Sequence, residues 1–307
     1  MSAMPLANAP VSYGVFGPNV DGASPVELLT SIAEAGYAGC ELGPPGFFGS
    51  VEETATAFLE RGLHAVAGYV PIRFTAGDGT FTDDLDRMRT TCRELAATGG
   101  GLAILADEGS DVLLSNPARP WDDRSLALSH AQWAVLAERV RRAVDLAAGH
   151  GLTCSFHPHI STYVESPWEV ERVLDLTDVA LTLDIGHIRL AGGDPAACAS
   201  SWASRIDHVH IKDASVAVLR DAQQLRRPDF DAWWADVCTP LGAGDVDIDG
   251  VLDVLVARGY DGWLVVEQDR APTTRADYPR VAAGQATNLR WLTEHLDAAV
   301  TRAGGAR

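Results

Sequence analysis

The chain has 307 residues, 47% of them hydrophobic and 21% charged, with no long low-complexity tract, which fits one large α/β domain spanning residues 1–307. Lys and Arg number 24 against 42 Asp and Glu, a formal charge of -18, and such a surface repels phosphate backbones and anionic membranes. Nucleic acid is therefore not expected as a partner. No apolar run approaches the ~20 residues of a membrane span, and the start Met1-Ser2-Ala3-Met4-Pro5 lacks a basic segment followed by an apolar one, so no membrane partner and a cytoplasmic location are expected.

Short apolar runs alternate with amphipathic stretches along the chain, the pattern of a parallel sheet with crossover helices. The predicted strands are Val11–Phe16, Gly39–Leu42, Ala65–Pro71, Leu102–Ala106, Thr153–His157, Ala180–Ile185, Ile206–Ile211 and Trp263–Gln268. Predicted helices between and after them are Ser24–Ala35, Val51–Arg61, Asp83–Ala97, Ala131–His150, Trp168–Leu174, Asp249–Arg258 and Arg280–Arg302. Gly36, Gly62, Gly151 and Gly259 each follow a helical run, where a residue that accepts positive φ ends a helix well. Eight such units close a (β/α)8 barrel. The longest departures, Gly109–Asp123 and Ala214–Asp247, follow the fourth and seventh strands, where a barrel builds its mouth; they read as lids or subunit contacts. Cys40, Cys92, Cys154, Cys198 and Cys238 are far apart and form no CxxC pair, so reduced, buried thiols are expected.

In a barrel the chemistry sits at the carboxyl ends of the strands, and polar residues accumulate there. The second strand ends in Glu41, the fourth in Asp107-Glu108, the fifth in His157-Pro-His159 and the sixth in Asp184-Ile-Gly-His187. The seventh ends in His208-Val-His210-Ile-Lys212-Asp213 and the eighth in Glu267-Gln-Asp269-Arg270. Any one carboxylate there reads equally as a helix cap or half an ion pair. Taken together, the buried polar groups would lack partners at about 1–3 kcal/mol each, and a bound cation removes that difficulty. Mixed carboxylate and imidazole ligands suit Mn²⁺, Fe²⁺, Co²⁺ or Zn²⁺. His208 and His210 share one face of a strand; His210, nearer the end, is the expected ligand and His208 a supporting group. Lys212 shares that face and reaches toward a substrate oxygen or stands solvated at the rim. Phe47, Phe48 and Trp121 are candidate covers for a ring or simple surface packing.

The segments Gly39-Cys-Glu-Leu-Gly43, Phe156-His-Pro-His-Ile-Ser-Thr-Tyr-Val-Glu165, Leu183-Asp-Ile-Gly-His187, His208-Val-His-Ile-Lys-Asp213 and Val266-Glu267 resemble the sugar phosphate isomerase/epimerase family of xylose-isomerase-like barrels, over nearly the whole chain. The His-Pro-His-x-x-Thr-Tyr-Val-Glu stretch is most similar to inosose dehydratases of myo-inositol breakdown. The resemblance implies one divalent metal ion, Mn²⁺ or Co²⁺ first and Zn²⁺, Fe²⁺ or Mg²⁺ as alternatives, on a ligand from each of strands five to eight. Asp184, His210 and Glu267 match three of these positions, and His157 stands where the family usually has a glutamate; Glu165 or water is the alternative fourth ligand. It also implies a small sugar or cyclitol substrate, and homologous barrels often pair, which points to a homo-oligomer.

The expected reaction runs through an enediolate of a keto-polyol, with dehydration of an inosose as the leading reading. Glu267 or His159 is the candidate base, and His187 or Lys212 the candidate acid; Glu41, Glu165 and Arg270 are candidate substrate contacts. Isomerisation or epimerisation of a keto sugar, and loss of a carbon-linked aglycone from an oxidised glycoside, use the same machinery. A metal nuclease of the abasic-site type shares the barrel but wants a basic groove, against the charge of this chain. A catalytically idle binding subunit is the remaining alternative.

Overall fold

The computed structural model describes residues 4–17, 21–114, 119–225 and 230–305, with the backbone alone for residues 230–232 and 235. Strands β1 (Leu6–Asn8), β2 (Gly39–Leu42), β3 (His64–Ile72), β4 (Leu102–Asp107), β5 (Thr153–His157), β6 (Ala180–Asp184) and β7 (Ile206–Ile211) alternate with helices α1 (Pro25–Ala35), α2 (Val51–Leu59), α3 (Asp78–Thr98), α4 (Asp111–Leu114), α5 (His130–Ala148), α6 (Pro167–Leu176), α7 (Ile185–Leu190) and α8 (Pro195–Ser201). After β7 come a two-stranded antiparallel hairpin of β8 (Asp213–Ala214) and β9 (Cys238–Thr239) enclosing helices α9 (Val216–Leu225) and α10 (Phe230–Val237), then α11 (Ile248–Arg258), β10 (Leu264–Val266) and α12 (Tyr278–Gly305). The closed barrel runs β1-β10-β7-β6-β5-β4-β3-β2, and every pairing in it is parallel. The expected (β/α)8 architecture is therefore the observed one.

Local chemistry explains where the elements begin and end. Ser24, Ser50 and Ser129 open α1, α2 and α5 with capping boxes completed by Glu27, Glu53 and Gln132, each pairing two otherwise orphaned backbone donors. Gly36 and Gly259 close α1 and α11 in the left-handed conformation. Inside the barrel, Ala7, Ala9, Val66, Ala67, Leu102, Ile104 and Val265 form the floor. Their strand neighbours face outward into the larger core under the helices. All five cysteines are buried and unbonded. Among the described residues, no helix is long and apolar enough to cross a membrane.

The first strand was expected five residues too late. Pro10–Tyr13 is a 3-10 turn ended by Gly14 at φ 78, and the strand is the preceding Leu6–Asn8, too short and too interrupted by Asn8 to show a periodic signal. Asn8 points outward: its amide donates to Gln285 on α12 (3.1 Å), whose own amide donates to Gln268 (3.1 Å), which also accepts from Asn288 (3.2 Å). This buried amide ladder fastens the first and last strands to the final helix, and turning Gln268 outward leaves Glu267 and Asp269 to face the barrel axis. The sixth strand also stops one residue early, because Ile185 already begins α7. Parts of the two long departures, 115–118 and 226–229, lie outside the described residues.

Replacing Gln285 with Leu strands a donor on Asn8 and leaves the Gln268 carbonyl to Asn288 alone. Urea denaturation is expected to show a loss of about 2–4 kcal/mol; an unchanged midpoint would show that the ladder contributes nothing.

Candidate active site

Strand alternation sends Ser155 and His157, Thr182 and Asp184, and His208 and His210 inward from β5, β6 and β7. Ser155 and Thr182 hydrogen-bond to each other one layer below the mouth. In the same region Glu41 from β2 accepts from both His208 Nε2 (2.8 Å) and His210 Nε2 (3.0 Å) through one oxygen. With its Nε2 proton held by Glu41, a neutral His210 presents an Nδ1 lone pair to the axis, the arrangement that a metal-binding histidine requires.

Asp184 divides its two oxygens between two tasks. Oδ1 caps α7 by accepting the His187 N–H at 2.9 Å, and Oδ2 lies 3.5 Å from His157 Nε2 and 3.6 Å from His210 Nδ1. Glu267, immediately after β10, brings Oε2 to 2.7 Å from His210 Nδ1. One ligand atom from each of His157, Asp184, His210 and Glu267 falls within 4.8 Å of the others. His157 Nε2, Asp184 Oδ2, His210 Nδ1 and Glu267 Oε2 are all buried without a hydrogen-bond partner. The Lys212 ammonium ion-pairs with both of these carboxylate oxygens, but the two imidazole nitrogens have no such compensation, an unmade bond costing about 1–3 kcal/mol each, and a divalent cation accepting a lone pair from all four would remove that cost. Two imidazoles and two carboxylates are a donor set suited to Mn²⁺, Fe²⁺, Co²⁺ or Zn²⁺.

A second array flanks this quartet. The Lys212 ammonium, about 1% exposed, lies 3.1 Å from Asp184 Oδ2, 3.3 Å from Glu267 Oε2 and 3.0 Å from Asp269 Oδ2. Burial opposes its charge, but these carboxylates outweigh burial and raise its pKa well above the ordinary lysine value. Lys212 also donates toward His187 Nε2 (3.1 Å), while the Ile160 N–H points at His187 Nδ1 (3.4 Å). Burial, then His159 and Lys212, pushes the His187 pKa far down. A neutral ring accepts at one nitrogen only, and the nearer of the two donors is the Lys212 ammonium at Nε2. His159 hydrogen-bonds the Ile160 carbonyl through Nδ1 (2.7 Å) and is lowered to about 3, chiefly by burial and by His157. Trp234, carried in by the insertion after β7, stacks on His187 (5.3 Å, 7°) and donates its indole N–H to Asp269 Oδ2 at 2.9 Å.

The structure thus brings together His157, Asp184, His210, Glu267, His159, His187 and Lys212. The three expected substrate contacts are placed as follows. Glu41 lies behind His210, and both Glu165 oxygens are taken, one by Arg119 Nε (2.7 Å) and one by the Ser161 N–H (2.6 Å), so Glu165 braces the loop after β5. Arg270 is partly buried with its Nε unpartnered. Phe47 and Phe48 pack edge-on against each other, and Phe48 against Phe58 of α2, while Trp121 is exposed. Sequence reasoning gave no role to Asp269, although two residues after Glu267 it repeats the inward face. It also missed Trp234, whose place depends on how the long insertion folds back.

A barrel with a cluster of imidazoles and carboxylates at the carboxyl ends of its strands defines the class of molecule. The chain belongs to the xylose isomerase-like TIM barrel family, whose profile matches residues 29–295. It is 26% identical over 249 residues to an inosose dehydratase of Geobacillus thermodenitrificans, covering 80% of this chain and 82% of that one. It is 32% identical over 261 residues to the rhizopine catabolism protein MocC of Rhizobium meliloti, covering 83% and 78%. Among solved structures, L-ribulose 3-epimerase superposes with TM-score 0.73 at 15% identity over 99% of this chain and 98% of the other. The probable 3-DHS dehydratase AsbF of Bacillus anthracis does so with TM-score 0.70 at 16% identity over 94% and 99%. The structural likenesses speak for the fold, and the sequence relatives place the chain among enzymes.

Lys212 leaves no room beside it: a Cβ built on Gly186 would lie 2.7 Å from Lys212 Cγ. Gly186→Ala is expected to cost about 1–3 kcal/mol by overpacking in urea denaturation. Gly79→Ala, where a Cβ meets nothing within 4 Å, serves as the control that does not lose stability.

Proposed function

We propose that this protein is a divalent-metal-dependent lyase that removes water from a cyclic keto-polyol, an inosose being the substrate class. The observation that carries the reading is the convergence of four buried ligand atoms that make no hydrogen bond, on His157, Asp184, His210 and Glu267; the inosose dehydratases among the relatives support the substrate class. Mn²⁺ or Co²⁺ suits the donor set first. A cation held there would polarise the substrate carbonyl and acidify the adjacent C–H.

The residues of the chain divide the proton chemistry. Glu267 has the most open side chain of the four, 13% exposed against 2% or less for the others, and its carboxylate is the base that takes the proton from carbon. Lys212 is the acid. His187, neutral and accepting from the ammonium at Nε2, is not the acid and serves to orient Lys212, as Asp269 does from the other side. The departing β-hydroxyl takes a proton from the Lys212 ammonium as its C–O bond breaks, a double bond forms next to the carbonyl, and water leaves. Glu267 and Lys212 stand 3.3 Å apart, so the proton gained by one resets the other. His159, held neutral down to about 3, is a weak base suited to accepting a substrate hydrogen bond.

Asp184→Ala and Glu267→Ala are each expected to abolish Mn²⁺ binding in calorimetry and to lower dehydration of 2-keto-myo-inositol by at least ~10³-fold. Full activity and metal content in Glu267→Ala would end this reading. Release of the substrate C–H to solvent without loss of water would favour the isomerase or epimerase alternative.

The pH dependence of metal binding has a definite sign. Burial opposes protonation of His210, but Glu267, Glu41 and Asp184 overcome it and raise its pKa well above the ordinary histidine value. The proton on Nδ1 competes with the cation, because a ligand imidazole must be neutral. Apparent Mn²⁺ affinity should therefore weaken as pH falls, by about ten-fold per unit for one competing proton, with proton release visible in titrations run in buffers of different ionisation enthalpy. An affinity independent of pH would remove His210 from the ligand set.

A further inference from the structure

The mouth of the barrel is chemically lopsided. β5, β6, β7 and the end of β10 supply every member of the metal-ligand quartet and the lysine array, whereas inward positions of the opposite strands include Ala9, Ala106 and Tyr69. On β3 the inward series is Ala67, Tyr69 and Pro71, rising from the floor to the rim. Ala67 is fully buried, Tyr69 is 36% exposed and Pro71 is half-buried. A large side chain on an inward strand face stays accessible only where the barrel holds open space above it. The ring of Tyr69 meets the ring of His157 edge-on, with centroids 5.9 Å apart, so that space adjoins the quartet.

The hydroxyl of Tyr69 has no hydrogen-bond partner among the described residues, although it stands in the field of Glu108, Glu267, Lys212 and Asp269. A phenol is protonated at neutral pH and is then a donor. A phenol whose ring is fixed by packing and whose hydroxyl serves nothing in the fold is spared for something outside it. With cationic and anionic groups on one wall, a bound polyol would need a neutral partner on the other to fix which of its hydroxyls faces the quartet.

We propose that Tyr69 is a specificity-determining contact of this site: its hydroxyl donates a hydrogen bond to a hydroxyl of the bound polyol, and its ring forms the wall opposite Lys212. This inference rests on the polyol reading of the site but not on the dehydration step. Tyr69→Phe is the direct test, because it keeps the ring and deletes a hydroxyl that makes no hydrogen bond among the described residues. Thermal unfolding and Mn²⁺ affinity should match the wild type. Binding of myo-inositol to the Mn²⁺-loaded protein, followed by calorimetry, should weaken about 5- to 10-fold, the worth of one hydrogen bond. The kcat/KM for 2-keto-myo-inositol should fall at least as far. Tyr69→Leu, which also removes the ring, should weaken binding further.

Equal myo-inositol affinity in wild type and Tyr69→Phe overturns the proposal, and so does a wild type that binds no polyol at all. Weakened binding in Tyr69→Phe with no water loss from the keto-inositol in the wild type sustains the Tyr69 contact and removes the lyase. Water loss with the variant unimpaired does the reverse.

Discussion

The organising constraint is an excess of buried negative charge. Glu41, Asp184, Glu267 and Asp269 come together at the carboxyl end of the barrel with Lys212 as the ammonium among them. Withdrawing a carboxylate from water costs several kcal/mol even after relaxation, so such a group persists only if positive charge or donors converge on it. Glu41 has two imidazole N–H groups and Asp269 has the lysine and an indole. The remaining two carboxylates each keep one oxygen without a hydrogen bond, and those are the oxygens facing His157 and His210. Lys212 ion-pairs with both of those oxygens, and a divalent cation would complete what that single ammonium leaves uncompensated.

Much of the surrounding structure serves to keep those atoms in place. Because Asp184 is both the last residue of β6 and the N-cap of α7, one of its oxygens is consumed by the helix and the other is aimed. Because Glu41 sits behind His210, the tautomer of that ring is set from the far side of the barrel, 169 residues away in the chain. The outward turn of Gln268 into the amide ladder of α12 fixes the phase of the chain, so Glu267 and Asp269 fall on the inner face as a pair. Small disturbances at such remote points would be felt as misaimed lone pairs, since close-packed interiors transmit strain.

How much of this was legible in the sequence depended on how local each signal is. The strand-end residues could be read because a barrel converts distant chain positions into neighbours by a known rule, and period-two alternation then chose His210 over His208. The first strand could not be read correctly: three residues ending in an asparagine carry no period, and the stronger apolar run after them is bent by Pro10 into a turn. The protein partners of Glu41 and Glu165 could not be read from the sequence for a related reason. A carboxylate at a strand end looks alike in sequence whether it faces a substrate, backs a histidine or binds an arginine from another loop, and only the packing of Arg119 and His208 tells these apart. Trp234 was invisible because nothing local says that the insertion after β7 folds back over Asp269.

The fifth strand is where this chain departs from the ligand set that its resemblance implies, and the consequence is one of charge. With His157 in place of a glutamate, the quartet carries two formal negative charges, enough to neutralise a divalent cation without overcompensating it. A neutral ligand withdraws less of the cation's charge than an anionic one, which leaves more to act on a substrate carbonyl. The same replacement removes one of two carboxylates that could exchange protons with carbon on opposite faces of a substrate, while Lys212, with an ammonium proton to give, stands beside the one that remains. On the proposed reading, one carbon base beside one ammonium that gives its proton to oxygen is better matched to expelling a hydroxyl than to inverting a stereocentre.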